Sequence, residues 1–545
     1  MIFKTLRCIL TLHFGKFYLI LFIIISTITF FACSIDQTTK NSDKESILII
    51  DTESESVTEK TMPSKALWGF GAIAVVNNKI VIGRGYDDNG QCFPGNSILI
   101  IDPKAETITE KDGLSISCWG CGSTVTANNK VVMGCGYNSV LIVDTANGSV
   151  VEKGGLSNAS WGFKSTVAAG KKVVMGNGEA ANESNSILII DAEKGTVVEK
   201  SGFSNLRWGY ESTVAVGNKV VMGCGWDEGT SILIVDAEKG TVVEKGGLYR
   251  ANWGSDSAVA AGNKVVMGPG LIGGYSILII DPEKGTTTVK GELSKNYWGM
   301  GSIAVIGNKV VMGPGSSSDS IIIVDTEKVT VTEKDGLSRI SWGYDSTVVV
   351  GNKVVMGRGY NDAGDSILII DPEKGTVTEK AGLSKASWGC DSTVVVGKKV
   401  IMGCGRDHAG TSILIIDPEN GTVTEKDGLS KANWGYASTV AINNKVVMGR
   451  GNDDIGESIL IIDAKAETVI EKGGISKANW GNKSTTVAGN KVVMGPGTKE
   501  DAGKSILIID PEKGTVTEKG GFSKANWGKN GSIAAVGNKV VMVGR

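Results

Sequence analysis

Apolar and polar positions along the chain recur in one order, eleven times. The copy that begins at Ser366 displays it as four short runs, "SILIID", "TVTEK", "STVVV" and "KVVMG". None has the three-to-four-residue apolar spacing of a helix, and their Val, Ile and Thr suit a pleated strand. The Ser-Ile-Leu-Ile-Ile-Asp element begins at Ser46, Ser97, Ser139, Ser186, Ser231, Ser276, Ser320, Ser366, Ser412, Ser458 and Ser505, at spacings of 42 to 51 residues. A unit of this length cannot bury its apolar face alone and must stack on its neighbours.

The turns between the runs have mechanisms. In "VVVGNKVVM", Gly351-Asn352 tolerates the positive φ of a tight hairpin. In "DPEKGT", Pro372 supplies a fixed φ and Gly375 a left-handed position. Each copy therefore reads as two hairpins in a four-stranded antiparallel sheet. The unbroken apolar "ILII" predicts a strand covered on both faces. "TVTEK" is the most polar run; its Lys stands in all eleven copies and its Glu in ten, with Val289 the exception. Charges of this kind guard an open sheet edge, which puts "TVTEK" outermost. Like sheets covering one another in a radial arrangement form a β-propeller.

The phase of the ends adds to this. The repeated region opens with the two outer strands, Ser46–Lys60, and closes with the two inner ones, Ser532–Gly544. The halves add up to one blade, as expected if the ends pair to close a ring; an open stack would want polar caps. The expectation is an all-β propeller of eleven blades over residues 46–545, with two smaller propellers in tandem as the alternative.

Residues 62–111, "MPSKALWGFGAIAVVNNKIVIGRGYDDNGQCFPGNSILIIDPKAETITEK", resemble a kelch repeat in strand order, spacing and the "DP" turn. Here the double glycine is Gly83-Arg84-Gly85, Ile101 replaces the tyrosine before Asp, and Ile108 replaces the outer-strand tryptophan. The repeat is also similar to quinoprotein-type propeller repeats, whose "D-x-x-T-G-K" turn matches "DPEKGT". Both resemblances imply a propeller.

Residues 1–33 read as an export signal. Lys4, Arg7 and Lys16 precede an apolar run, Phe17–Ala32, that is short for a membrane span. Its end, Phe30-Phe31-Ala32-Cys33, resembles a bacterial lipoprotein signal, which implies a lipid on Cys33; ordinary secretion and an uncleaved anchor are the alternatives. Residues 34–45 read as a tether. The resemblance implies an extracytoplasmic chain held at the bacterial outer membrane or cell surface.

Composition narrows the function. With 56 basic and 58 acidic residues the chain has no basic excess for a nucleic acid. Its mature part has one histidine, His408, too few for a catalytic dyad, a zinc site or the histidine set of kelch-like copper oxidases. No cofactor or metal is expected, and no catalytic residue stands out.

Positions shared by all copies serve the blade; a site belongs where copies differ. The Asp that ends "LIID" and the Met of "VVM", such as Met356, read as a turn acceptor and a packing group. A Trp-Gly pair stands in every copy, at Trp68, Trp119, Trp161, Trp208, Trp253, Trp298, Trp342, Trp388, Trp434, Trp480 and Trp527. These indoles are either wedges between blades or an exposed ring of stacking platforms. Their connector and the unlike loops after "VVMG", such as "GWDEGT" and "GLIGGY", emerge on one face, and the uniform tight turns on the other. Loops on a rigid frame are the usual home of binding. Acidic loops (Asp87-Asp88, Asp227-Glu228, Asp362, Asp453-Asp454) read as solvated, with calcium the sharper alternative.

Cysteines occupy matching positions in two blades: Cys121 with Cys135, and Cys390 with Cys404, each pair 14 apart across the inner hairpin. In an oxidising compartment they predict two disulfides. Cys224 faces Tyr210, and Cys92 is within reach of Cys118. "CWGC" at Cys118–Cys121 lacks a second ligand pair for zinc.

The expectation is a non-enzymatic, lipid-anchored scaffold whose loop face takes a protein partner. A glycan-binding propeller using the indoles and a carboxylate-dependent glycan enzyme are the alternatives.

Overall fold

The computed structural model describes residues 45–64, 68–85, 94–134, 138–157, 160–178, 185–204, 207–225, 228–270, 274–295, 297–315, 318–338, 341–359, 363–405, 409–451, 455–497 and 503–544, without the Phe70 side chain. The expected signal, all of the expected tether but Glu45, His408, Cys33, Cys92, Cys135, most of the variable loops and all the acidic-loop residues except Glu228 lie outside the described residues.

Eleven four-stranded antiparallel sheets are formed, one per repeat. Within each, the order from inside out is "STVVV", "KVVM", "ILIID", "TVTEK". Thr347–Val350, Lys353–Met356, Gly364–Asp371 and Thr376–Ala386 make one such blade. The second and third strands are buried along almost their whole length, whereas the outermost alternates exposed and half-buried residues. The Gly351 and Gly375 turns have φ of 55° and 65°, as their sequences require.

Ser46–Asp51 and Ser56–Thr61 supply the outer half of the closing blade, and Ile533–Val536 and Lys539–Gly544 the inner half. Ile47 pairs with Val543 and Ile50 with Val540 in unbroken register. Innermost strands touch their neighbours all the way round, including Trp68–Val76 against Ile533–Val536, so the eleven blades make one ring. Two tandem propellers are not what forms: residues 45–545 are a single compact unit.

Packing between blades explains the repeated residues. Trp161 is buried among Val132, Val140 and Ile142 of one blade and Val173, Met175, Leu188 and Ile190 of the next. The methionine therefore fills the same seam as the indole. The first glycine of Gly-x-Gly is dictated by a close approach: a Cβ on Gly357 would lie 1.9 Å from the Trp388 carbonyl oxygen of the following blade. The Asp ending the third strand takes turn amides. Lys374 N–H donates to Asp371 Oδ1 at 3.0 Å, and Lys353 Nζ meets Oδ2 at 2.8 Å. The Lys353 bond, with smaller help from the Lys374 amide, outweighs burial and holds that carboxyl below its ordinary range.

Candidate binding face

Strand register fixes which loops share a face. Met356 pairs with both Thr347 and Leu368, so the Trp-Gly connector and the Gly-x-Gly loop leave the sheet at one end. The Gly-Asn and Asp-Pro turns leave at the other. Where the loop ends are described, the connector is stitched to them: Gly229 bridges Ala251, Gly410 bridges Ala432 and Gly456 bridges Ala478.

All eleven connector tryptophans are at 0% exposure. Trp119, Trp161, Trp253, Trp342, Trp388, Trp434 and Trp480 donate Nε1–H to the backbone oxygen four residues earlier, at 2.8–3.1 Å. Arg84, Arg358 and Arg450 reach to within 4.0, 5.1 and 5.0 Å of the Trp68, Trp342 and Trp434 ring centres. The exposed-platform reading is thereby corrected: the apolar seam that holds the ring together takes up the indole faces, and none is left for a sugar.

The cysteine expectation is corrected too. Cys121, Cys390 and Cys404 carry thiols, so neither the Cys121–Cys135 nor the Cys390–Cys404 bond is formed. The reason is direction. Cys404 Sγ points to the Ala432 carbonyl of the next connector, at 2.8 Å, and Cys224 likewise to Ala251, at 3.0 Å. Cys121 instead belongs to a cluster with Phe163 and Tyr210 that runs from blade to blade. Cys118 is disulfide-bonded, and its partner lies outside the described residues.

Two features of this face were not read from sequence. The first is a collar. The residue three places after each Trp sits in the left-handed region; from Gly122 to Lys483 its amide donates to the carbonyl of its counterpart one blade back, and in the closing blade Gly531, four places after Trp527, is the donor. Lys164 bonds Gly122 at 2.7 Å, Glu211 bonds Lys164 at 2.7 Å and Asp256 bonds Glu211 at 3.0 Å; the chain continues through Gly301, Asp345, Asp391, Ala437 and Lys483 to Gly531. The collar side chains are unlike: Lys164 is ion-paired to Glu211, beside Asp256. Burial, then the Glu211 charge, pushes the Asp256 carboxyl up to about 6 against the opposing pull of Lys164. Burial, then Asp391 and Asp256, pushes Asp345 up to about 6. Among the described residues no group of His, Cys, Asp or Glu is arranged to hold a metal. The signal available in the sequence was a variable position held between an invariant Trp-Gly and, in most copies, a Ser.

The second is a clamp. The Glu of "TVTEK" accepts from a serine of the preceding connector: Ser384 N–H to Glu425 at 3.0 Å, Ser430 to Glu471 at 2.9 Å, Ser476 to Glu518 at 3.0 Å. The same carboxylate takes the hydroxyl that opens its own third strand, as Ser412 does for Glu425 at 2.6 Å. Ten interfaces carry this clamp, nine through the serine amide and one through the Ser64 hydroxyl. The eleventh has Tyr249 and Val289 in the two places.

No family model matches the chain, and no curated protein matches it. Among solved structures it is similar to the computationally designed Ika8 protein, at 16% identity, covering 66% of this chain and 96% of that one, with a TM-score of 0.36. It is also similar to dihydro-heme d1 dehydrogenase NirN in complex with DHE, at 11% identity over 72% of this chain and 75% of that one, with a TM-score of 0.36. At that score neither likeness carries an argument; the fold rests on the sheets themselves.

Proposed function

We propose that the protein is an exported, lipid-anchored, non-enzymatic interaction scaffold of kelch-like type, whose loop-and-connector face receives a protein partner. The observation that supports this is where large apolar side chains are exposed outside the strands. Ile116, Tyr249, Tyr275 and Ile455 are 70, 68, 57 and 43% exposed, and all four belong to connectors or loop ends of that one face. The opposite face carries the uniform Asp-Pro and Gly-Asn turns. A closed ring holds such residues in place before binding, so little ordering entropy is lost on association. The signal-like Phe17–Cys33 segment supports export and a lipid on Cys33, at the outer membrane or cell surface.

A photo-crosslinking amino acid placed in living cells at Ile116, at Ile455 and, as the opposite-face control, at Lys374 tests the reading. Adducts of discrete mass from the first two positions and none from Lys374 are expected. The reverse pattern, or no adduct at any position, contradicts it. Hydrolysis of a glycan, lost on changing one Asp pair, would replace it with the enzymatic reading.

A further inference from the structure

The eleventh interface departs from the other ten in both partners at once. Changing the serine alone or the glutamate alone would strand a half-buried polar group, at a cost of about 1–3 kcal/mol. Changing both removes the clamp without stranding a charge. A cleft of about 1030 Å³ stands there, lined among others by Tyr249, Arg250, Tyr275, Val289, Glu292 and Leu293.

Two further departures fall on the same cleft. Tyr275 takes the position before the third-strand serine, which in the other copies is Asn, Asp, Glu, Thr or Lys. Glu292 stands where nine of the other ten connectors have glycine, Gly247 and Gly336 among them (the first has Met62), and it keeps their left-handed backbone, at φ 64° against 79° and 81°. A side chain rarely adopts that conformation without local compensation. Four blade-specific changes thus converge on one opening in a ring that is otherwise repetitive.

The chemistry of the opening is particular. Both phenol rings are more than half exposed, so their faces are not spent on packing. Arg250 is ion-paired to Glu228 at 2.5 Å, and Lys290 and Glu292 add one charge of each sign. Aromatic faces beside balanced donors and acceptors suit a neutral, polyhydroxylated ligand better than a phosphate or a carboxylate. An added peptide strand would need a length of open ladder, but the cleft meets only Val289 and Lys290 of the outermost strand Thr286–Lys290. Its volume is that of a small-ligand site.

We propose that the cleft between Tyr249 and Tyr275 is a saccharide site, one per ring, that stacks sugar rings on the two phenols and hydrogen-bonds their hydroxyls through Arg250, Lys290 and Glu292. The site does not depend on the protein-partner reading and shares no residue with the eleven indoles.

The test is titration of the full chain, in a detergent without a sugar headgroup, with cellotetraose, chitotetraose and maltotetraose, with a heparin tetrasaccharide and a tyrosine-rich peptide alongside. At least one neutral tetrasaccharide is expected to bind saturably at one per chain. Tyr275→Ala should weaken that binding at least tenfold. The pair Tyr249→Ser with Val289→Glu, which rebuilds the clamp and so keeps the fold, should abolish it without lowering the melting temperature. No binding by any neutral sugar, binding of the heparin fragment or the peptide alone, several sugars per ring, or unchanged affinity in the clamp-rebuilt variant would each overturn the assignment.

Discussion

Leu48 and Met542 pair in register within one sheet, although they come from opposite ends of the repeated sequence. Each lies beside residues of its own hairpin and of the other's, so the blade exists only when both ends are present. The ring is therefore closed by backbone hydrogen bonds, the same bonds that build every other blade.

That closure makes the last strand sensitive. Val541 lies mid-strand, between Ile49 on one side and Ala534 on the other. Val541→Pro removes a ladder donor, leaves its buried carbonyl partner unpaired and forces φ, which should destabilise the ring by about 1–3 kcal/mol or more. Thermal unfolding should register the loss, whereas Glu373→Ala at an exposed tight turn should leave the midpoint nearly unchanged.

The buried indoles predict a stability effect and no binding effect. Trp388→Ala removes a side chain at 0% exposure and should cost about 3–5 kcal/mol in denaturant unfolding. Where the variant still folds, its crosslinking pattern at Ile116 and Ile455 should match the wild type.

The clamp predicts acid sensitivity. Burial pushes the Glu425 carboxyl up, but its bonds from Ser384 and Ser412 together outweigh that and hold it below the ordinary 4.5. Glu379, Glu471 and Glu518 are lowered by the same balance. The unfolded chain then binds more protons than the native one, so this stability is complete above pH 4.5 and is lost as pH falls through the folded values. Glu425→Ala should cost about 1–3 kcal/mol at neutral pH and flatten the acid limb of the melting-temperature profile.

The collar predicts the opposite slope. Asp256 and Asp345 titrate near 6 in the folded protein against 3.8 in the unfolded chain. Between those values the native state binds more protons, so stability falls as pH rises toward 6 and stays reduced above it. Asp256→Asn with Asp345→Asn should raise the melting temperature at pH 7.5 and leave it almost unchanged at pH 3.5.

The thiols give a covalent check. Alkylation of denatured, unreduced protein followed by peptide mapping should label Cys224, Cys390 and Cys404 fully and leave Cys118 unlabelled. Labelling of Cys390 and Cys404 only after reduction would contradict the structure.

Much of the fold was legible from sequence because each repeat states its strands and turns separately, and the copies vote. The split between Ser46–Lys60 and Ser532–Gly544 carried the closure. What stayed hidden depends on side-chain direction across a seam. Two cysteines opposite each other on a hairpin look bondable until the seam turns Cys404 toward Ala432. An invariant Trp gives no hint of which way its ring faces. The clamp needs Ser384 and Glu425 to meet across blades, a contact that no single repeat reveals; only the shared oddity of Tyr249 and Val289 points to it.

Electron-microscopy class averages of the purified chain, viewed down the ring axis, test the central claim most directly. Eleven equal blades in one closed ring are the expected result. Two separate rings, an open arc with unjoined ends, or any other number of blades would contradict it.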